Sequence, residues 1–196
     1  MIRISTLSVQ FFLILLLISN SFSSEGQRTN FRFYQYNKEN KLNEELVKSS
    51  RQDSLGVYYF ATDDGVLFLH NDNFVPLILP EGKSNYFKEL FKRKSGELLA
   101  VSDDAVYKIK GSFEKAELKL FIECNTDPSK PKYPKHLFED QKNDLWITDY
   151  NHIYRYKGDT VEKFRMDEKN LTSSYIRSFQ FLECDNGNLI VVSQKG

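Results

Sequence analysis

Two rhythms of apolar and polar side chains run along this chain. Short, nearly unbroken apolar runs occur at residues 57–61 (VYYFA), 97–101 (ELLAV), 144–147 (DLWI) and 188–192 (NLIVV), the pattern of strands covered on both faces. The first three runs are each followed by a further strand, and in two of them this strand has a clear period of two. In VYKIK, Tyr107 and Ile109 point one way and Val106, Lys108 and Lys110 the other, while IYRYK sets Tyr154 and Tyr156 against Arg155 and Lys157. Alternate side chains on a strand lie on opposite faces, so these segments predict half-exposed strands. Short polar turns come next (residues 70–73, Gly111-Ser112 and Lys157-Gly158-Asp159), and a fourth strand is expected to open near Phe74, Phe113 and Val161. The order is thus an inner strand, a buried strand, a partly exposed strand and an outer strand.

The same order recurs. Four windows align on a turn residue: Gly56, Gly96, Asn143 and Gly187, separated by 40, 47 and 44 residues. Three residues past each anchor stands a large apolar side chain, Tyr59, Leu99, Trp146 and Ile190. A hydroxyl closes the strand each time, as Thr62, Ser102, Thr148 and Ser193, with Thr148 one residue early. Ten residues past the first three anchors a new strand is expected at Val66, Val106 and Ile153. Periods of roughly 40 to 50 residues built only of strands indicate the four-stranded blades of a β-propeller. The fold class expected is all-β, with about three and a half antiparallel blades spread over residues 24–196.

Residues 1–23 read as a separate address. Arg3 precedes the apolar run at residues 9–18 (VQFFLILLLI), too short for the roughly 20 residues of a membrane-spanning helix but suited to a secretory signal peptide. Ser21 and Ser23 are small residues at the −3 and −1 positions, which places cleavage after Ser23; an uncleaved anchor is the alternative. The whole chain has 27 basic and 27 acidic side chains, so nothing marks it for nucleic acid or for an acidic membrane surface. Two cysteines and three histidines cannot build a disulfide framework or a zinc site of the usual spacing. Export would permit a Cys124–Cys184 disulfide, but elements two blades apart need not meet, and two separate thiols are expected.

The repeat resembles a known family, the two-component regulator propeller repeat, whose pattern joins Asp-x-x-Gly to a Leu-Trp-Ile-Gly-Thr-like strand and a Leu-Tyr-Arg-Tyr-like strand. Asp140 to Thr148 (DQKNDLWIT), followed by Ile153-Tyr154-Arg155-Tyr156, matches it best; Asp53-Ser54-Leu55-Gly56 with Ala61-Thr62-Asp63-Asp64-Gly65-Val66 also matches. Arg93 and Cys184 replace the Asp of the pattern in the second and fourth copies, and Ala105 replaces the loop glycine. The resemblance implies the periplasmic sensing region of a histidine kinase or hybrid regulator, often one that detects oligosaccharides. Catalysis is not expected of this chain, nor is a cofactor.

Strand direction selects one end of the blades for binding. Loops joining the second strand to the third, and those joining an outer strand to the next inner strand, open on the same side. They carry Asp63, Asp103, Asp149, Tyr150 and His152, together with the Pro-punctuated insertion at residues 125–135 (NTDPSKPKYPK) that contains Tyr133. Loops on a rigid scaffold concentrate binding residues, and carboxylates beside an aromatic ring suit a neutral sugar. The competing reading is that these Asp residues only cap tight turns. No Asp-x-Asp-x-Asp-Gly loop is present for a cation. His70, His136 and His152 fall in different repeats without a recognisable nucleophile. Trp146 reads as a blade-core residue, because its slot holds Tyr59, Leu99 and Ile190 elsewhere.

Residues 31–36 (FRFYQY) look like an outer strand, and the fourth repeat provides two strands. Expected partners are therefore the remaining blades of a larger propeller or a second copy, besides an oligosaccharide or other small ligand; nucleic acid is not expected, and membrane contact would come only through a C-terminal part outside this sequence. The alternative is a self-standing exported propeller that closes its ring by oligomerising and acts as a carbohydrate-binding scaffold or hydrolase.

Overall fold

The four turn anchors share one backbone shape. Gly56, Gly96 and Gly187 have φ of 88°, 86° and 79°, and Asn143 has φ of 65°. In this left-handed region a Cβ crowds the backbone carbonyl, which is why glycine or asparagine recurs at the anchor. Backbone bonds close the hairpins. The N–H groups of Asp53, Arg93, Asp140 and Cys184 donate to the carbonyls of Val57, Glu97, Asp144 and Asn188 at 3.0, 2.9, 3.1 and 2.8 Å. Where the repeat has its Asp, the carboxylate reinforces the turn: Asp53 Oδ1 accepts from the Leu55 and Val57 N–H groups, and Asp140 Oδ1 from those of Lys142 and Asp144. Arg93 and Cys184 lose that reinforcement but keep the backbone bonds, so the register survives.

A computed structural model describes residues 32–42, 46–111, 113–165 and 179–193. The expected signal peptide at residues 1–23 lies outside the described residues. Among those described, no helix is long and apolar enough to cross a membrane. Sheet A comprises β1 (Ser49–Gln52), β2 (Tyr58–Thr62), β3 (Gly65–His70) and β4 (Asn73–Pro76). Sheet B comprises β5 (Phe87–Lys92), β6 (Leu98–Ser102), β7 (Ala105–Lys110) and β8 (Glu117–Glu123). Sheet C comprises β9 (His136–Glu139), β10 (Leu145–Thr148), β11 (His152–Lys157) and β12 (Thr160–Arg165). Sheet D pairs β13 (Phe179–Glu183) with β14 (Leu189–Ser193). All pairs are antiparallel and each sheet follows chain order, the arrangement of propeller blades.

Burial matches the unbroken runs only where sheets lie on both sides; Tyr58 on β2 and Ile190 and Val192 on β14, expected to be covered, are exposed. One apolar cluster joins sheets A and B through Tyr59, Ala61, Val66 and Phe68 on one side and Phe87, Leu90, Leu98, Ala100 and Tyr107 on the other. A second joins sheets B and C through Leu99, Val101, Val106 and Ile122 against Leu137, Leu145, Ile147 and Tyr154. Strand β6 contributes to both clusters from opposite faces, so all five of its residues are buried. Full burial of each large side chain contributes roughly 1.5–3 kcal/mol. A bulge at Lys88 shifts the β5 register between Phe87 and Glu89, which lets Phe87 and Leu90 enter the same cluster. Sheet D meets sheet C through Phe181, whose ring stacks on Phe138 at 5.1 Å.

Several expectations need correction. Val106, expected on the exposed face of its strand, is buried, because sheet C covers that face. Phe113 opens a 3-10 turn, Phe113–Lys115, and the fourth strand of sheet B starts only at Glu117. Its backbone at Phe113 has φ of 53°, which an extended strand cannot accommodate. Residues 32–37 form no strand. The third strands begin one residue earlier than expected, at Gly65, Ala105 and His152. Cys124 and Cys184 are separate thiols, and burial pushes that of Cys124 up to about 12.

Candidate functional site

At the loop end of sheets A, B and C, the turn from second to third strand is built by the residue six past each anchor. Thr62 Oγ1 donates to the Gly65 carbonyl and accepts from the Asp64 N–H, and Ser102 Oγ accepts from the N–H groups of Asp104 and Ala105. In sheet C that register position is Asp149. Its Oδ1 accepts from the N–H groups of Asn151 and His152, both at 2.8 Å. Its Oδ2 accepts from Tyr154 Oη at 2.9 Å and from the Lys132 N–H at 3.1 Å. Asp149 is 2% exposed. It replaces the hydroxyl of the other copies, which accounts for the early position of Thr148, and its oxygens are filled by protein donors.

The other two candidate acids differ. Asp63 stands in the exposed β2–β3 turn of sheet A, where its Oδ1 accepts from the Leu46 N–H at 2.9 Å. Asp103, half-buried between β6 and β7, pairs with Lys88 Nζ at 2.6 Å. Burial holds the Lys88 ammonium below its usual range, partly offset by this bond to Asp103. Lys88 also donates to the Pro134 carbonyl at 2.9 Å. That bond ties the bulge of β5 to the insertion before β9, bringing Asp103 toward Tyr133 and Tyr150 and leaving Asp63 two sheets from Asp149.

The insertion is a folded loop. The Asn125 N–H donates to the Pro131 carbonyl at 3.0 Å, Asn125 Nδ2 to the Asp103 carbonyl at 3.0 Å, and the Tyr133 N–H to Asn125 Oδ1 at 2.9 Å. At Ser129 both the N–H and the hydroxyl donate to Asp127 Oδ1. These bonds present Tyr133 half in solvent, 50% exposed, with its ring edge-on to Tyr150 at 6.1 Å and 72°. Lys135 Nζ lies 4.0 Å from the Tyr150 ring centroid. His152 sits with Nδ1 3.4 Å from Asp149 Oδ1 and its ring 6.0 Å from Tyr154.

Between the insertion and the β10–β11 turn is a recess of about 370 Å³, lined by Lys130, Lys132, Tyr133, Tyr150, His152 and Lys163 among others. The structure thus brings together four of the six candidates, Tyr133, Asp149, Tyr150 and His152, with Asp103 attached through Lys88 and Asp63 apart. The lysines were not foreseen. Their signal was the insertion itself, where Lys130, Lys132 and Lys135 accompany one acid, Asp127. A larger recess of about 650 Å³ between β8 and β11–β12 is lined by Arg93, Lys108, Phe121, Tyr156 and Asp159. Two of its cations are engaged, Arg93 by Glu139 and Lys108 by Glu97, and the third, Lys130, also lines the smaller recess. Among the described residues, no group of three or more His, Cys, Asp or Glu could hold a metal ion.

Trp146 belongs to the sheet and not to the recess. Its ring stacks on Phe164 at 5.9 Å, its Nε1 donates to Asp140 Oδ2 at 2.9 Å, and Arg155 lies 5.2 Å from the ring centroid.

No protein-family model matches the chain, and no curated protein matches it. Solved structures do. The extracellular domain of a putative hybrid two-component system from B. thetaiotaomicron superposes with a TM-score of 0.59 at 18% identity, over 84% of this chain and 23% of that one. Virginiamycin B lyase from Staphylococcus aureus gives 0.51 at 15% identity, over 74% of this chain and 51% of that one. A streptogramin B lyase gives 0.52 at 12% identity, over 74% and 53%. The chain therefore spans about a quarter of the first protein's length and about half of the other two. At these identities the likeness is one of fold, and it agrees with the sheets described above: this chain is a succession of β-propeller blades.

Proposed function

We propose that the chain is a ligand-sensing segment of an exported receptor in a two-component signalling system, and that the recess beside the β10–β11 turn binds an oligosaccharide. The observation that carries the reading is the Tyr133–Tyr150 pair, half open to solvent beside a loop held by its hydrogen bonds to Asn125 and Asp149 and by one donated from Lys88. A held aromatic ring offers an apolar face to the C–H face of a sugar with little ordering cost on binding. In this reading Tyr133 and Tyr150 form the platform, His152 bonds to a sugar hydroxyl, and Asp103 holds Lys88 against the insertion. Asp149 positions His152 and the Lys132 backbone, and Asp63 lies apart, bonded to the Leu46 N–H. The structural likeness to a two-component extracellular domain supports the receptor setting, and the apolar run at residues 9–18 supports export.

Calorimetric titration of the purified chain with di- to hexasaccharides tests it. Saturable binding is expected, weakened about fivefold to tenfold by Tyr133→Ala through loss of the stacked ring. Absence of binding across the panel, or unchanged affinity in both Tyr133→Ala and Tyr150→Ala, would sink the proposal.

A further inference from the structure

The charges around the recess are unevenly matched. Three ammonium groups line it, those of Lys130, Lys132 and Lys163, with one carboxylate, that of Asp149; outside the lining stand Lys88 with Asp103, Lys135 over Tyr150, and Asp127 near Lys130. Two of the carboxylates are taken by stronger partners. Asp149 is filled by four hydrogen bonds and faces inward, and Asp103 is held by Lys88 at 2.6 Å. Asp127 accepts from Ser129 and lies 3.9 Å from Lys130 Nζ, a loose pair. The remaining ammonium groups lack carboxylates of their own. Lys163 donates to the neutral Pro128 carbonyl at 2.7 Å, Lys135 rests over the Tyr150 ring, and Lys132 makes no ion pair among the described residues. On a chain of zero formal charge this is a local cationic excess, and it adjoins the exposed Tyr133 ring.

A neutral saccharide needs acceptors for its hydroxyl protons, but the acids that would supply them are occupied. What the recess offers is donors and positive charge, and an ammonium bonds most strongly to an anionic oxygen. We infer that the recess selects an anionic oligosaccharide, one sugar ring against Tyr133 and the carboxylate or sulfate of that ring or its neighbour between Lys130, Lys132 and Lys163. This rests on the oligosaccharide-sensing reading above and narrows it to an acidic substrate class. A recess of about 370 Å³ lies at the small end of ligand sites, suited to one or two rings.

The test is titration of the full chain, at low and high salt, with digalacturonate, a sulfated disaccharide, the matching neutral disaccharide and inorganic sulfate. An acidic disaccharide is expected to bind about tenfold tighter than its neutral counterpart, with the preference largely lost in Lys130→Ala/Lys132→Ala and in high salt. Which acidic sugar binds tighter separates carboxylate from sulfate recognition. Lys132→Arg retains the preference, and circular dichroism confirms that these surface variants keep the strands. A neutral disaccharide binding as tightly as the acidic ones, with both weakened by Tyr133→Ala, would leave oligosaccharide sensing standing and overturn the acidic selection. Inorganic sulfate binding as tightly as the sugars would also overturn it, and no binding by any saccharide would remove both readings.

Discussion

The junction between sheets A and B and that between B and C occupy equivalent places in the repeat but use different chemistry. At the first, the inner strands are tied by Leu90 N–H donating to Ser49 Oγ at 3.1 Å and by Lys92 Nζ donating to the Gln52 carbonyl at 2.9 Å. At the second, the position of Ser49 is taken by Glu89, whose Oε2 accepts from the Leu137 N–H at 3.0 Å and lies 2.9 Å from His136 Nδ1. The position of Lys92 is taken by Glu139, which accepts from Arg93 Nε at 2.7 Å and from the Lys94 N–H at 2.6 Å. Glu183 repeats this at the next junction, accepting from the Gln141 N–H at 2.8 Å. The geometry of stacked blades therefore specifies where a polar tie must sit, but not its charge. A hydroxyl and an exposed lysine suffice where the apolar cluster is larger. Where it is smaller, buried carboxylates hold the neighbouring turn.

Breaking each junction at its strongest element should show the difference. Phe87→Ala removes a fully buried ring from the first cluster and is expected to cost about 4 kcal/mol in urea unfolding, with little dependence on salt. A loss below about 1 kcal/mol would mean that the first junction does not rest on its apolar cluster. At the second junction, Glu139→Ala leaves the half-buried Arg93 with only the Asn143 carbonyl and a Glu97 oxygen at 3.8 Å, and frees the Lys94 N–H. About 3 kcal/mol is expected, the figure for breaking a buried pair. If 0.5 M salt destabilised the parent as much as this substitution does, the tie would be a surface pair instead.

A smaller effect concerns acid. Burial pushes the Asp140 carboxyl up, but hydrogen bonds from Trp146 Nε1 and from the Asp144 and Lys142 N–H groups, with the Arg155 charge, outweigh it and leave the group below the usual carboxylate range. A folded value below the unfolded one, about 3.9, makes this stabilisation complete above about pH 4. It is lost as pH falls through the lower folded value. Trp146 is the chain's single tryptophan, so its emission should shift in that acid window, and Asp140→Asn should abolish the shift while costing about 1 kcal/mol at neutral pH. An identical acid profile in the variant would place the transition elsewhere. Smallest of all, Lys92→Ala should change stability by less than about 0.5 kcal/mol, because its partner is an exposed carbonyl. A loss comparable to that of Glu139→Ala would erase the contrast between the two junctions.

Much of the blade plan could be read from residues close together in the chain. The anchors Gly56, Gly96, Asn143 and Gly187 announce a left-handed turn because few residues tolerate it, and the runs after them announce strands. The errors arose where a distant element intervened. Val106 alternates with Tyr107 as a half-exposed strand should, yet sheet C covers it. Phe113 looks like a strand opening, but its backbone folds into a turn before β8. Residues 32–37 are aromatic-rich without pairing into a sheet. In the site, Tyr133, Tyr150 and His152 were legible as loop residues at one end of the blades, whereas Lys163 lies on an outer strand and no local pattern assigns it there.

By itself the sequence determined the repeat, the strand order and the end of the blades where loops gather, because turn geometry and side-chain alternation act over a few residues. Only the tertiary structure decided which charged groups remain available. Asp149 and Asp103 look alike in the sequence, each between the second and third strands of its repeat, yet one is filled by its own turn and the insertion, and the other is held by Lys88 from the preceding strand. Lys130, Lys132 and Lys163 converge because the insertion folds back on the β10–β11 turn and β12. Hydrogen-bond saturation and local charge depend on groups brought together from separate parts of the chain, and a balanced total charge conceals both.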